Sequence, residues 1–249
     1  MVDKWVGKIA VVTGASSGIG AAIFKDLAKA GIEAVGLARR VERIEEIVKQ
    51  QTRCHAYYCD VTNSESVKEA FKWIENRFGF INILINNAGV SKNTRILENS
   101  EESMEKLNEV IDTNLRGVVE CTREAFKLMK KSNDFCLIVN INSITGHKNI
   151  FFKVPLNVYP ASKHAVTALT ETLRQELILM GDNKIRVTSL SPGRVRTDIE
   201  IAGGFEDESQ EDDSKLKPED VSGIVLFLMS TDYSVNISEI IVQAVGEKF

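Results

Sequence analysis

Tyr159 and Lys163 stand four positions apart at the start of a helix-patterned segment, a separation that brings a phenol and an ammonium to one helix face. That pairing suits proton transfer. A free tyrosine titrates near 10, and a fixed positive neighbour favours its phenolate, so Lys163 together with further positive charge can bring Tyr159 closer to neutrality. Each unit moved corresponds to about 1.4 kcal/mol, so a shift of two or three units needs several interactions acting together. The spacing alone carries little weight, and the rest of the chain has to support it.

Another set of residues suits phosphate. Thr13-Gly14-Ala15-Ser16-Ser17-Gly18-Ile19-Gly20 falls where an apolar run ends and a helical pattern begins. Its three glycines let the backbone turn sharply and approach a pyrophosphate, whose charge is met by free amides at a helix N-terminus. Its place in the opening β–α–β unit gives the motif its weight. The next strand ends Gly36-Leu37-Ala38-Arg39-Arg40, about where dinucleotide-binding proteins discriminate between cofactors. An acid there would bind ribose hydroxyls, as in NAD sites. Ala38 followed by two arginines points to NADP, because a guanidinium grips a 2′-phosphate through paired, charge-assisted hydrogen bonds. The competing reading is that Arg39 and Arg40 only open a solvated helix with Glu42 and Arg43.

Short apolar or β-branched runs alternate with longer helix-patterned segments: 8–13 then 18–30, 33–37 then 41–50, 55–59 then 64–78. Runs at 81–86, 135–142 and 185–190 continue the series, with helical candidates at 101–131, 158–180 and 218–229, and 237–244 reads as a last strand. Stretches apolar nearly throughout, such as 9–12 and 81–85, suit a parallel sheet covered on both faces. The expected fold is α/β: a single-domain, Rossmann-type doubly wound parallel sheet over 1–249, flanked by helices on both faces. No repeat or linker interrupts it; the stretch 203–217 runs from glycine into acidic residues and reads as a surface loop.

With 249 residues, 43% of them hydrophobic, the chain can bury one sizeable core. A net charge of −4 gives no basic footprint, which disfavours nucleic acid or an acidic membrane surface as main partner and favours a small molecule. No window is long and apolar enough for a membrane span, so a cytoplasmic protein is expected. Cys54, Cys59, Cys121 and Cys136 form no CxxC pair and have no histidine at ligand spacing; they read as packing residues, with no metal expected.

Further residues fall at telling places: Asp60 with Val61 after the third strand, Asn86-Asn87-Ala88-Gly89 at the fourth, then Asn114, Ser143, Pro192-Gly193, Val195 and Thr197. Together with the glycine loop and the Tyr159/Lys163 pair, they make the sequence resemble the short-chain dehydrogenase/reductase family nearly end to end. The resemblance implies that Gly14, Ser16, Ser17, Gly18, Ile19 and Gly20 form the cofactor loop, and that Asp60 binds the adenine amino group. It implies that Asn87, Ala88 and Gly89 belong to the family's NNAG signature, and that Pro192, Gly193, Val195 and Thr197 cradle the nicotinamide carboxamide. Asn114, Ser143, Tyr159 and Lys163 would form a catalytic tetrad. Tyr159 would exchange a proton with the substrate oxygen, Ser143 would hold that oxygen, Lys163 would bind the nicotinamide ribose and tune Tyr159, and Asn114 would hold a relay water. The family also implies a homodimer or homotetramer packed through the 101–131 and 158–180 helices. Trp5-Val6-Gly7-Lys8, the stretch 36–46 and the helix 165–177 resemble the insect farnesol dehydrogenase and vertebrate dehydrogenase/reductase member 11 group, which implies a lipophilic alcohol or carbonyl substrate of isoprenoid, steroid or similar type. A non-catalytic NADP sensor or scaffold of the same fold is the rival reading, but such proteins typically lose the tyrosine or the lysine, and both are present.

Two departures from the family pattern stand out. Ser143 and Tyr159 are sixteen positions apart, more than is common, so the loop between them is enlarged; and Pro160 follows the tyrosine where a small residue is usual. Proline is tolerated in a first helical turn. The enlarged loop is rich in apolar residues (Ile144, Ile150, Phe151, Phe152, Val154, Pro155, Leu156), and Ile199, Ile201 and Phe205 follow Thr197. These are expected to wall a greasy pocket, the second set as the underside of a lid. His147, close after Ser143, is a candidate substrate contact or a hydrogen-bonding loop residue.

Overall fold

The computed structural model of the chain describes residues 2–148, 156–205 and 214–248, without the side chain of Glu200. Every residue of β1 (Ile9–Thr13) is buried, and its side chains divide between two cores. Ala10 and Val12 enter one, Ile9 and Val11 the other, the period-two alternation of a strand covered on both sides. The strands therefore read as unbroken apolar runs.

Seven strands, β1, β2 (Glu33–Ala38), β3 (Cys54–Tyr58), β4 (Ile83–Asn86), β5 (Cys136–Ile141), β6 (Ile185–Pro192) and β7 (Glu239–Val242), form one sheet in the order 3-2-1-4-5-6-7. All neighbouring pairs are parallel. The helices are α1 (Gly18–Lys29), α2 (Val41–Val48), α3 (Ser64–Phe78), α4 (Glu101–Ile111), α5 (Gly117–Ser132), α6 (Tyr159–Leu179), α7 (Ile199–Ala202) and α8 (Pro218–Ser230). Phe24 and Leu27 of α1, Ile44 of α2 and Val221 and Val225 of α8 fill the first core; Phe71 of α3, Leu128 of α5 and Leu177 of α6 fill the second. The four cysteines are buried and unbridged, as packing residues should be. The order in which successive strands are added reverses at the adjacent β1 and β4, and ligands of such sheets bind in the crevice outside the carboxyl ends of the strands at that point.

The expected elements are present with their ends shifted by a few residues. The 101–131 segment is α4 and α5 joined by a π-helical turn, Asp112–Arg116, which no periodicity announces. The single turn α7 is likewise too short to show a hydrophobic period.

Candidate active site

A cleft of about 1240 Å³ opens at the switch point. Gly14, Ser16, Ser17, Gly18, Ile19, Arg39, Arg40, Asp60, Val61, Asn87, Ala88, Gly89, Pro192, Gly193, Val195 and Thr197 line it, together with Ser143, Tyr159 and Lys163. Gly20 and Asn114 do not; they sit behind the wall and shape it. A Cβ on Gly20 would stand 2.3 Å from Asn87 Nδ2 and 2.4 Å from the Gly14 carbonyl oxygen, so only glycine allows the loop to close on the β4 end. That closure is hydrogen-bonded: Thr13 Oγ1 accepts from the amides of Asn87 and Ala88, each at 3.0 Å, and Asn87 Nδ2 donates to Thr13 O at 2.9 Å. Gly14 has φ +67°, the left-handed region in which glycine alone is unstrained. Ser17 is extended and its side chain does not cap α1, so the first-turn amides keep their capacity for an anion.

The two arginines after β2 differ in their partners. Arg40 Nη2 donates to Ser17 Oγ at 3.2 Å, directly on the glycine loop. The Arg39 guanidinium lies 3.7 Å from the Glu109 carboxylate, which also pairs with Lys92 at 2.7 Å. Asp60 Oδ1 accepts from the amide and hydroxyl of Thr62, which fixes the carboxylate at the cleft edge.

Tyr159 opens α6, and Pro160 occupies a first-turn position where no intrahelical amide is lost. One turn on, Lys163 is 6% exposed; its Nζ lies 5.7 Å from the Tyr159 ring centroid and donates to Ile141 O at 3.1 Å. Burial lowers its pKa to about 8, so it stays charged at neutral pH. Ser143 follows β5, and its Oγ accepts from Thr145 N at 3.2 Å and Thr145 Oγ1 at 2.9 Å, leaving its own proton for another acceptor. Asn114 sits in the π-helical turn, where its Oδ1 accepts from Val90 N at 2.8 Å and its Nδ2 donates to Val90 O at 2.9 Å and Ser162 Oγ at 3.3 Å. A Cβ on Gly89 would lie 3.5 Å from Asn114 Oδ1 and 3.8 Å from Lys163 Nζ, which places carboxamide and ammonium on one side of the same glycine.

Residues 8–204 match the family model described as short chain dehydrogenase. The chain belongs to the short chain dehydrogenase family. It is 48% identical to a farnesol dehydrogenase of Aedes aegypti over the full length of both, and 37% identical to dehydrogenase/reductase SDR family member 11 of Homo sapiens, covering 96% of this chain and 95% of that one. An alcohol dehydrogenase from Thermococcus sibiricus complexed with 5-hydroxy-NADP superposes with a TM-score of 0.83 at 30% identity, covering 97% of this chain and 98% of that one. The chain is an oxidoreductase of this family.

The cleft of this short chain dehydrogenase also carries apolar side chains, among polar ones such as Lys92, Asn93 and Asp198. Ile144, Leu156, Ile199 and Phe205 line it, whereas Ile150, Phe151, Phe152, Val154 and Pro155 lie outside the described residues. Ile201 is turned outward and exposed, because on the single turn of α7 it falls opposite the face shared by Ile199 and Ala202. The segment after α7 is tied across the cleft: Asn93 N donates to Gly203 O at 2.8 Å and Asn93 Nδ2 to Gly204 O at 3.1 Å. His147 is not among the lining residues; it points toward β6 and β7, which removes it as a substrate contact. Two positioning residues escaped the sequence reading. Asn157, with φ +49°, donates from Nδ2 to Lys92 O at 2.5 Å, joining the entry of α6 to the 90s loop. The Glu247 carboxylate accepts from Arg194 N at 2.6 Å and Ala244 N at 3.1 Å, and a Cβ on Gly193 would overlap it. Neither residue belongs to a motif, since each acts through a contact distant in sequence.

Proposed function

We propose that the protein is an NADP(H)-dependent alcohol dehydrogenase or carbonyl reductase acting on lipophilic substrates. The observation that carries this is the buried Lys163 ammonium beside Tyr159 in the same cleft as the glycine loop. The residues present fit a dinucleotide phosphate: a left-handed Gly14, an uncapped α1 and two guanidinium groups at the end of β2 form a cradle that side chains would fill. Gly14 to Gly20 would hold the pyrophosphate, Arg39 and Arg40 the 2′-phosphate, Asp60 and Val61 the adenine, and Pro192, Gly193, Val195 and Thr197 the nicotinamide end. The bound cofactor supplies or accepts the hydride.

Tyr159 then gives a proton from its phenolic oxygen to the substrate oxygen in reduction, and takes it back in oxidation. Ser143 donates to the same oxygen, for which its hydroxyl proton is available. Lys163 favours the phenolate by its charge. Asn114 holds Val90 against α6, and the second lone pair of its Oδ1 can orient a water toward Lys163. The apolar wall of Ile144, Leu156, Ile199 and Phe205 excludes water and favours isoprenoid, steroid or similar chains over sugars. The name of the Aedes aegypti relative, a farnesol dehydrogenase, supports this substrate class, farnesol being an isoprenoid alcohol. Exposed apolar side chains on α4 and at the end of α6, among them Met104, Ile111, Ile178 and Leu179, support a homodimer or homotetramer. No helix among the described residues is long and apolar enough to cross a membrane, in keeping with a cytoplasmic site of action. Purified protein incubated with NADPH and a panel of lipophilic aldehydes and ketones tests the reading: cofactor oxidation is expected, and none with any member of the panel would refute it.

A further inference from the structure

We propose that His147 is a positioning residue: its imidazole ties the turn that carries Ser143 to the end of β6, and so fixes the donor to the substrate oxygen relative to the Pro192-Gly193 segment. The inference rests on the reading of Ser143 given above. Ser143 precedes a single helical turn, Ile144–Gly146, and His147 follows it directly. Gly146 N donates to Ser143 O at 2.9 Å and His147 N to Ile144 O at 3.0 Å, so Ser143 and the imidazole anchor opposite ends of one short rigid unit.

The imidazole leaves the cleft and reaches into the sheet. Its Nε2 shares a hydrogen bond with Ser191 Oγ at 2.8 Å, and Glu239 Oε1 at the start of β7 lies 3.1 Å from the same nitrogen. Ser191 is fully buried and immediately precedes Pro192, while Gly193 N donates to Val242 O on β7 at 2.7 Å. The polar contacts close into a ring. Ser191 Oγ is 3.5 Å from Ser189 Oγ, which accepts from Asn142 Nδ2 at 3.3 Å; the other N–H of Asn142 reaches Thr167 Oγ1 at 2.8 Å, and Thr167 Oγ1 donates to Gly146 O at 3.0 Å. Ser189, Ser191 and Asn142 are all buried, where a hydrogen bond is hard to replace by water. Asn142 ties the start of the Ser143 turn to β6, through its amide to Leu190 O at 2.7 Å and its side chain to Ser189, whereas His147 joins the far end of the turn to β6. Without it that end is held through Thr167, and the oxygen donor and the residue preceding Pro192 are no longer clamped from both ends of the turn.

The test compares wild type with His147→Gln, His147→Asn, His147→Ala, Ser143→Ala and the double variant Ser143→Ala/His147→Ala, using farnesol with NADP as the probe. A Gln amide nitrogen reaches the place of Nε2, whereas an Asn amide stops at the place of Nδ1. His147→Ala and His147→Asn are expected to lower kcat about tenfold or more, since misplacing a reacting group by an ångström costs up to about a hundredfold, with the Kd for NADPH unchanged. His147→Gln should recover most of the loss, and His147→Ala should cost nothing further once Ser143 is gone, because residues acting as a unit are not additive. If His147→Ala folds poorly, the Gln and Asn pair still decides. Wild-type kcat in His147→Ala or His147→Asn, a Gln variant as slow as the Asn variant, or a full additional loss on the Ser143→Ala background would overturn the inference while Ser143 kept its role. A Ser143→Ala variant that turned over like wild type would remove the reading of Ser143 and the inference with it.

Discussion

Lys163 serves the site at a cost to the fold. Its ammonium is buried, its Nζ donates to a backbone carbonyl, and desolvation lowers its pKa from 10.5 to about 8. Between those values the unfolded chain holds a proton that the folded chain has lost, so stability rises with pH across that window. Below about 8 both states are protonated and the full burial penalty applies, on the order of 3 kcal/mol at most. Lys163→Met should therefore be more stable than wild type in thermal unfolding of the cofactor-free protein at pH 7, the gap should narrow by pH 10, and turnover should be lost; a variant less stable at pH 7 would contradict the assignment of the penalty. Tyr159→Phe separates chemistry from binding, because it removes one oxygen and leaves the glycine loop and arginines in place. General acid–base catalysis is worth about 10² to 10⁴-fold, so kcat should fall by at least that lower figure while NADPH titration by fluorescence gives an unchanged Kd. A variant keeping more than about a tenth of wild-type kcat would exclude Tyr159 as the proton donor.

Among the elements, the β1–α1 junction and the β4 end act as one piece. Gly20→Ala puts a methyl against Asn87 Nδ2 and Gly14 O, and overpacking of this kind typically costs about 1–3 kcal/mol. Denaturant unfolding should register that loss together with weakened NADPH binding; an unchanged midpoint would mean that the loop relaxes freely. In the proposed function, the end of β2 would set cofactor choice. Arg39→Ala and Arg40→Ala should each raise KM for NADPH much more than for NADH, about tenfold or beyond, since even part of a charge–charge interaction of about 4 kcal/mol suffices. Ala38→Asp should move the preference toward NAD, and equal losses for both cofactors would make the arginines structural. This junction was readable from the chain because its chemistry is local: a glycine loop, its helix and the next strand end are contiguous, and strand periodicity exposes the layers. Division of labour between Arg39 and Arg40 was not readable, since Glu109 and Ser17 select between them from elsewhere. Nor was the π-helical turn that sets Asn114, or the outward turn of His147, because each depends on a tertiary partner that no spacing records.

At the scale of the whole molecule, one cleft is lined both by the glycine loop with Arg39 and Arg40 and by the apolar Ile144, Leu156, Ile199 and Phe205. Of the apolar residues expected to wall a pocket, Ile144, Leu156, Ile199 and Phe205 line the cleft, Ile150, Phe151, Phe152, Val154 and Pro155 lie outside the described residues, and Ile201 faces outward because so short a helix fixes its faces only once folded. We propose that these two sets of cleft-lining residues make an NADP(H) enzyme for long apolar alcohols and carbonyls. The most direct test is kcat/KM for a homologous series of primary alcohols and aldehydes extending to farnesol and farnesal, measured with NADP(H) and NAD(H), in wild type and Phe205→Asp. Activity with NADP(H) is expected well above that with NAD(H), rising with chain length by up to about fourfold per methylene, the equivalent of about 0.8 kcal/mol, with a rise that flattens in the variant. A flat profile in wild type, or equal use of both cofactors, would contradict it.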